Sequence, residues 1–211
     1  ERAMLDYYLG QPVKELELTN RDAAKIVIRR YSHRDTLVKI PQVNIPDYWI
    51  RPQQILQNSQ GSHRFLWDLH HDPLNIAPSY PIAAIYRNTA ADESSPLVPP
   101  GIYEVELIAD GHTQSVKIAV LADPRVPKST TNYALQYRLA INCYNNAKKC
   151  LEVLEKNALT KELQEKYRNF FNQFLGMMRT LQNSDTKPTA AMVRDVGNTS
   201  SEFEKFLGKL K

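Results

Sequence analysis

The sequence predicts a β-then-α protein: an Ig/fibronectin-type antiparallel β-sandwich at residues 1–126, followed by an antiparallel three-helix bundle at residues 127–211. Three observations predict this organisation. Apolar residues alternate with a period of two before residue 126, they recur every three or four positions after it, and two prolines mark the change. A chain of 211 residues is long enough for two domains of ordinary size.

The central element is a predicted β-hairpin between Pro99 and Val126. Its turn is Asp110-Gly111, a strong hairpin signal because glycine accepts a positive φ without steric cost. Pro124 then ends the ladder, since proline has no N–H to donate. The predicted buried faces are Tyr103, Val105, Leu107 and Ala109 in the first strand, and Val116, Ile118 and Val120 in the second.

Four earlier segments also carry the strand pattern. Residues 1–31 predict three short strands separated by turn residues, at the spacing of a β-sandwich. A fourth strand follows Gly61, where Phe65, Trp67 and Leu69 share one face, and Trp67 is expected in the core. Another short strand can fit near Leu37–Ile40.

The region after Val126 has helical periodicity. Tyr133 to Leu154, Leu163 to Leu181 and Met192 to Leu210 each place apolar residues on one narrow face, as in helices packed along their lengths. Thr160 is expected to cap the second helix, and the short connections predict antiparallel neighbours. Cys143 and Cys150, seven residues apart on one helix, lie about 10 Å apart, too far to form a disulfide with each other.

Two irregular segments interrupt the strands. In the first, between Ser32 and Ser62, Tyr48 and Trp49 are either anchors onto the sandwich or the platform of a ligand site, with Tyr80 and Tyr86 as further stacking residues. In the second, the polar run Asn88–Ser95 predicts a solvated loop.

No local motif predicts a catalytic site, a metal or a cofactor. The chain lacks phosphate-binding glycine loops and nucleophile motifs, and it has only seven glycines. His70, His71 and Asp72 form the one suggestive cluster, but adjacent residues at a strand end point to opposite faces; a metal there needs a distant carboxylate, His33 or His63. Glu104 and Glu106 share a strand face that is expected to be solvated.

The charge of the chain does not favour nucleic acid. Its formal net charge is +4, from 27 basic and 23 acidic residues of interspersed sign, and no basic stripe is interleaved with aromatics. No apolar run approaches the roughly 20 residues of a membrane-spanning helix.

Several motifs together resemble a known family. They are Gly61-x-His63-Arg64-Phe65-x-Trp67-Asp68-Leu69, Pro99-Pro100-Gly101-x-Tyr103, Asp110-Gly111, Asp123-Pro124-Arg125-Val126, Leu5–Leu9 and Ser184-Asp185-x-x-Pro188-Thr189. The chain resembles the C-terminal region of bacterial sortilin-like or BNR-repeat β-propeller proteins, which are glycosyl-hydrolase-like. His70-His71 departs from the family's usual Arg-Tyr type of pair. The β half also looks like the Ig-like domain of flagellar hook-capping proteins.

This resemblance implies a non-catalytic accessory or interaction module of a larger extracytoplasmic protein, whether secreted, periplasmic or in the cell envelope. The propeller that carries the family's activity is not among these 211 residues, so no catalytic residue is carried over. The expected partners are the protein's own propeller, another protein or a second copy. The alternative is a carbohydrate-binding accessory domain of a polysaccharide-processing protein, with Trp49 and Tyr48 as ligand-binding residues.

Overall fold

The computed structural model describes residues 2–37, 39–40, 42, 45–80, 86–126, 130–155, 159–183 and 186–209, with the backbone alone at 130 and 131. Within these residues, strands precede helices, which confirms the β-then-α arrangement. The elements are β1 (Ala3–Leu9), β2 (Leu16–Arg21), β3 (Val27–Ser32), β4 (Gly61–Trp67), β5 (Gly101–Ala109), β6 (His112–Val120), α1 (Thr130–Leu154), α2 (Lys161–Gln182) and α3 (Ala190–Gly208).

The strands form two antiparallel sheets. One pairs β1 with β4, and the other has the order β3-β2-β5-β6. Aromatic rings join the two sheets: Tyr31 meets Phe65 with ring centroids 4.6 Å apart, and Trp67 meets Tyr103 at 5.7 Å. Trp67 is fully buried, as its place on the apolar face of its strand predicts.

The predicted hairpin is confirmed. Ala109 lies opposite His112, and the two turn residues, Asp110 and Gly111, have φ of 46° and 83°. Positive φ at both positions matches the right-handed twist of the strands. The Asp110 carboxylate also accepts hydrogen bonds from the backbone N–H groups of Lys14 (2.9 Å) and Glu15 (2.8 Å), so the turn holds the start of β2.

The burial expected for β6 is wrong at Val116, which is 57% exposed. Residue alternation placed Val116 on the same face as Val105, its cross-strand partner, and Val105 is buried. The ring contacts between the sheets involve β3 and β5, whereas β6 lies at the edge beyond β5. The described residues Leu37, Lys39 and Ile40 form no strand.

The three helices contact one another. Gln136, early in α1, donates to the carbonyl of Leu181 at the end of α2, which sets these helices in opposite directions. Phe203 of α3 is almost fully buried against an aromatic group formed by Tyr167, Phe170 and Phe174 of α2 and Phe206 of α3.

Both cysteines are free and fully buried on α1, and burial raises the pKa of each thiol to about 12. Thr160 caps α2 as predicted, because its side chain accepts from the N–H of Leu163. Thr189 caps α3 in the same way. The predicted helix end at Leu210 and the motif residues Ser184 and Asp185 lie outside the described residues.

The chain forms two compact units that are not continuous in sequence. The strand unit comprises Glu1–Asp72, Ile76–Asp92 and Pro100–Leu121, and the helical unit comprises Pro73–Asn75, Glu93–Pro99 and Ala122–Lys211. Part of the loop that was expected to be solvated therefore belongs with the helices, and Ser95 is only 4% exposed. The cause is a polar clasp: Gln182 donates to the carbonyl of Ser95 (3.4 Å) and accepts from the N–H of Leu97.

Candidate functional site

Tyr48 and Trp49 lie in a single 3-10 turn of the strand unit, Asp47–Trp49, which starts after Pro46. The following residue, Ile50, forms an isolated parallel bridge with Thr89. The N–H of Thr89 donates to the carbonyl of Trp49 (2.9 Å), and the N–H of Arg51 donates to the carbonyl of Thr89 (2.8 Å). These backbone bonds bring two segments that are about 40 residues apart in sequence, 48–51 and 86–89, into one surface.

Three aromatic side chains meet there, and we call Tyr48, Trp49 and Tyr86 the Trp49 cluster. The Trp49 ring lies 6.4 Å from Tyr48 and 5.6 Å from Tyr86, with interplanar angles of 88° and 89°. Tyr48 is 68% exposed and Tyr86 is 57% exposed, whereas Trp49 is half-buried. The rings are accessible, but Trp49 does not form one flat platform with either tyrosine.

The indole N–H of Trp49 is buried and has no hydrogen-bond acceptor among the described residues. A buried donor without an acceptor costs about 1–3 kcal/mol. The comparable N–H of Trp67 donates to the carbonyl of His70 at 3.2 Å. The indole N–H of Trp49 is therefore a buried donor at the cluster that no described residue satisfies.

Arginines surround the cluster. The Arg87 guanidinium lies over the Tyr86 ring, 5.1 Å from its centroid, and the Arg87 backbone has a φ of 57°. Arg51 donates to the side-chain oxygen of Asn88 at 3.0 Å. Burial, and then the like charge of Arg2, lower the pKa of Arg51. Among the described residues, no carboxylate forms a salt bridge with these three arginines.

The His70–Asp72 segment is bound into the fold. His70 Nδ1 lies 2.8 Å from the carbonyl of Asp68, and the Asp72 carboxylate accepts from the N–H of Arg30 at 3.3 Å. Burial, and then the neighbouring His70, lower the pKa of His71 to about 4. In the parts of the chain that the structure describes, no three His, Cys, Asp or Glu side chains are grouped to hold a metal ion.

His33 and His63, the distant ligands that a metal at His70–Asp72 needs, lie elsewhere. His33 Nδ1 is 3.1 Å from the backbone nitrogen of Leu16, and His63 Nε2 is 2.7 Å from the carbonyl of Ser59. The structure brings neither into a group with His71.

Glu104 and Glu106 share one face of β5, as their spacing predicts, but each forms an ion pair. Glu104 pairs with Lys25, and Glu106 lies 3.2 Å from Arg21. Their side chains are 17% and 21% exposed, less than expected for a freely solvated face. Glu106 therefore pairs across strands with Arg21 of β2, and Glu104 pairs with Lys25 of the turn between β2 and β3.

A second surface lies on the two-stranded sheet. It is a depression of about 560 Å³, lined by Asp6, Tyr7, Tyr8, Ser62, His63 and Arg64. Arg64 and Asp6 face each other across β1 and β4 with bonds of 2.7 and 2.8 Å, and each satisfies the other's charge. Tyr8 is 68% exposed, the same fraction as Tyr48.

The sequence suggested the aromatic members of the site but not its arginines. Tyr48, Trp49 and Tyr86 are rare, large residues in irregular segments, which is a readable signal. Tyr80, which was grouped with them, is half-buried and lies outside the ring contacts of the cluster. Arg51 and Arg87 are two of 27 basic residues, and the long-range contacts between residues 50–51 and 88–89 place them on neighbouring segments.

The fold and site define a chain of antiparallel sheets followed by helices, with an aromatic and basic surface in the strand unit. No family model, curated protein or solved structure matches this chain. Among the described residues, none of the helices has the length and apolar character needed to cross a bilayer.

Proposed function

We propose that this chain is a non-catalytic accessory and interaction module of a larger extracytoplasmic, propeller-type protein. The single observation that carries the proposal is the Trp49 cluster, an exposed aromatic surface held by a backbone bridge between two loops. Loops placed by a rigid scaffold are where binding residues concentrate. The motif resemblance supports the parent architecture and the location outside the cytoplasm.

The same proposal includes an Ig/fibronectin-type sandwich as the scaffold. Support comes from the Tyr31–Phe65 and Trp67–Tyr103 contacts between the two sheets, and from the tight hairpin at Asp110. The helices complete the proposal as an antiparallel bundle that serves assembly with the protein's own propeller, another protein or a second copy.

The absence of catalysis is part of the proposal. Its support is that the most suggestive polar groups have structural partners: His70 and Asp72 with the backbone, Glu104 and Glu106 with basic side chains. A general acid or base must instead reach a substrate proton directly.

Carbohydrate binding is the second candidate function, because the exposure of Tyr48 and Tyr86 favours it. The face of a phenol ring packs against the C–H face of a sugar ring, and its hydroxyl remains free to hydrogen-bond.

Light scattering of the full chain, with and without a panel of soluble polysaccharides, tests both the interaction function and the carbohydrate-binding function. A stable dimer without a polysaccharide response supports assembly through protein contacts. Binding of a polysaccharide that Tyr48→Ala abolishes, while Tyr8→Ala leaves it unchanged, supports the carbohydrate function. Tyr8 is the matched control because its exposure equals that of Tyr48. The proposal is contradicted if the chain is a monomer, binds no polysaccharide and binds no separately supplied β-propeller domain.

A further inference from the structure

The surface around the Trp49 cluster has an excess of positive charge. Arg51 and Arg87 are held on neighbouring segments, and Arg2 is close enough to influence Arg51. Two acidic residues are nearby. Asp47 belongs to the same turn as Trp49, and Asp68 accepts two hydrogen bonds from Arg29 at 2.9 and 2.8 Å, so its charge is largely met within the fold.

We propose that the Trp49 cluster binds an anionic saccharide, with Arg51 and Arg87 pairing with the carboxylate of a uronic acid unit. The inference rests on the proposed carbohydrate-binding function and deepens it by naming the class of ligand. A guanidinium presents planar N–H donors that match a carboxylate, and each charge-assisted bond is about twice as strong as a neutral one. Tyr48 and Tyr86 supply the stacking faces beside that carboxylate.

Two further features of the site fit the same ligand: a buried donor at Trp49 and a strained backbone at Arg87. The indole N–H of Trp49 has no acceptor among the described residues, and a sugar hydroxyl or ring oxygen can accept from it. Arg87 adopts a left-handed backbone conformation that costs of order 1–3 kcal/mol for a side chain of this kind, and such strain is typical of ligand-binding positions. The conformation places its guanidinium over Tyr86, at the exposed side of the cluster.

The test compares polygalacturonate with its carboxyl-reduced form, which has the same backbone but no charge. Binding to the full chain is measured by isothermal titration calorimetry at about 0.05 M and about 0.5 M NaCl, because salt screens charge pairing. We expect the charged polymer to bind at least about tenfold more tightly, with the difference reduced at high salt.

Arg87→Gln is the main variant, since this exposed side chain makes no hydrogen bond among the described residues and its loss leaves the fold intact. We expect it to remove most of the preference for the charged polymer. Arg51→Lys keeps the positive charge but loses the planar set of guanidinium N–H donors. We expect it to reduce the preference for the charged polymer less than Arg87→Gln does. Arg30→Gln/Arg168→Gln, which removes two exposed charges elsewhere, is the control and leaves binding unchanged.

The outcomes separate this inference from the function on which it rests. Equal binding of the charged and reduced polymers overturns the inference and leaves the carbohydrate function standing. Binding of neither polymer, nor of any in the panel above, overturns both. Equal loss of affinity in Arg87→Gln and in the Arg30→Gln/Arg168→Gln control shows non-specific attraction and also overturns the inference, as does preferential binding of a poly-glutamate peptide.

Discussion

In the helical unit the buried amide of Asn146 donates to Asn142 at 3.1 Å and to Ser200 at 3.5 Å, whereas in the strand unit the buried amide of Asn20 has no partner among the described residues. Asn20 is completely inaccessible. The indole N–H of Trp49, also in the strand unit, finds no acceptor in the part of the chain that the structure describes. The buried amide of Asn146 in the helical unit is therefore hydrogen-bonded, whereas no described residue bonds to the buried amide of Asn20 in the strand unit.

Several basic side chains are held by partners within the fold. In the strand unit Arg64 pairs with Asp6 and Arg21 with Glu106. Arg179 and Gln182 of the helical unit bind the segment that starts at Glu93. Arg51 and Arg87 of the strand unit have no carboxylate partner within the described residues. An unmet donor and cations without a carboxylate partner are what an anionic ligand can satisfy, so the Trp49 cluster of the strand unit is where we expect binding.

The largest expected effect separates the two tryptophans. Trp67 is fully buried between the sheets, and Trp67→Ala should lower the free energy of unfolding by about 3–5 kcal/mol. Trp49→Ala removes a half-buried ring and should cost about 1–2 kcal/mol. Urea unfolding followed by far-UV circular dichroism measures both. Equal losses would show that Trp49 is a core residue rather than part of a binding surface.

The next effect is a loss of stability in acid. The pKa of His71 falls from its ordinary value of 6.5 to about 4 in the fold, because burial disfavours the charged form and His70 adds a like charge; Asp22 opposes both. Between these two values the unfolded chain binds a proton that the folded chain does not. Stability should therefore fall as pH decreases from 6.5 to about 4, by at most about 1.4 kcal/mol per pH unit from this group.

Urea unfolding at a series of pH values measures this slope. The control is His71→Gln, which cannot take up the proton and should flatten the profile over the same interval. An unchanged profile in His71→Gln would mean that other groups cause the acid sensitivity.

A matched pair of asparagines gives effects of opposite sign. Asn20→Leu keeps the branched shape and removes two unmet polar atoms, so it should stabilise the chain by about 1–2 kcal/mol. Asn146→Leu removes a satisfied hydrogen bond and should destabilise it by about 0.5–1.5 kcal/mol. The shift of the urea midpoint reports each. A destabilised Asn20→Leu would reveal a bound water or ligand group at Asn20.

The smallest effect is local. The amide of Leu97 donates to the side chain of Gln182, and Gln182→Leu removes that acceptor. Hydrogen exchange at Leu97 should become faster in this variant, while global stability changes by about 1 kcal/mol. The amide of Leu163, which the Thr160 cap protects elsewhere in the unit, is the internal reference. Unaltered exchange at Leu97 would show that the clasp does not protect this segment.

The local sequence pattern was sufficient to predict the strands, the hairpin turn and the Thr160 cap. The period-two segments became strands, Asp110-Gly111 became the hairpin turn, and Thr160 became a helix cap, because each depends on neighbours within a few residues. Val116 was misjudged because its exposure depends on which strand is at the sheet edge. Alternation alone carries no information about strand order.

Long-range contacts account for what the sequence did not predict. The clasp by Gln182 joins residues more than 80 positions apart. Arg51 and Arg87 lie on segments that the Ile50–Thr89 bridge brings side by side. The unmet amide of Asn20 is likewise invisible in the sequence, where an asparagine after a threonine near a turn is an ordinary surface pattern.

Ligand binding at the Trp49 cluster is tested most directly by the two indole N–H groups of the chain, those of Trp49 and Trp67. In a ¹⁵N-labelled sample they give two signals, which Trp49→Phe assigns by removing one. Titration with polygalacturonate should shift the Trp49 signal, as the unmet N–H gains an acceptor, and should leave the Trp67 signal in place because that N–H already donates to His70. A titration that binds the polymer but leaves the Trp49 signal unmoved would contradict the account.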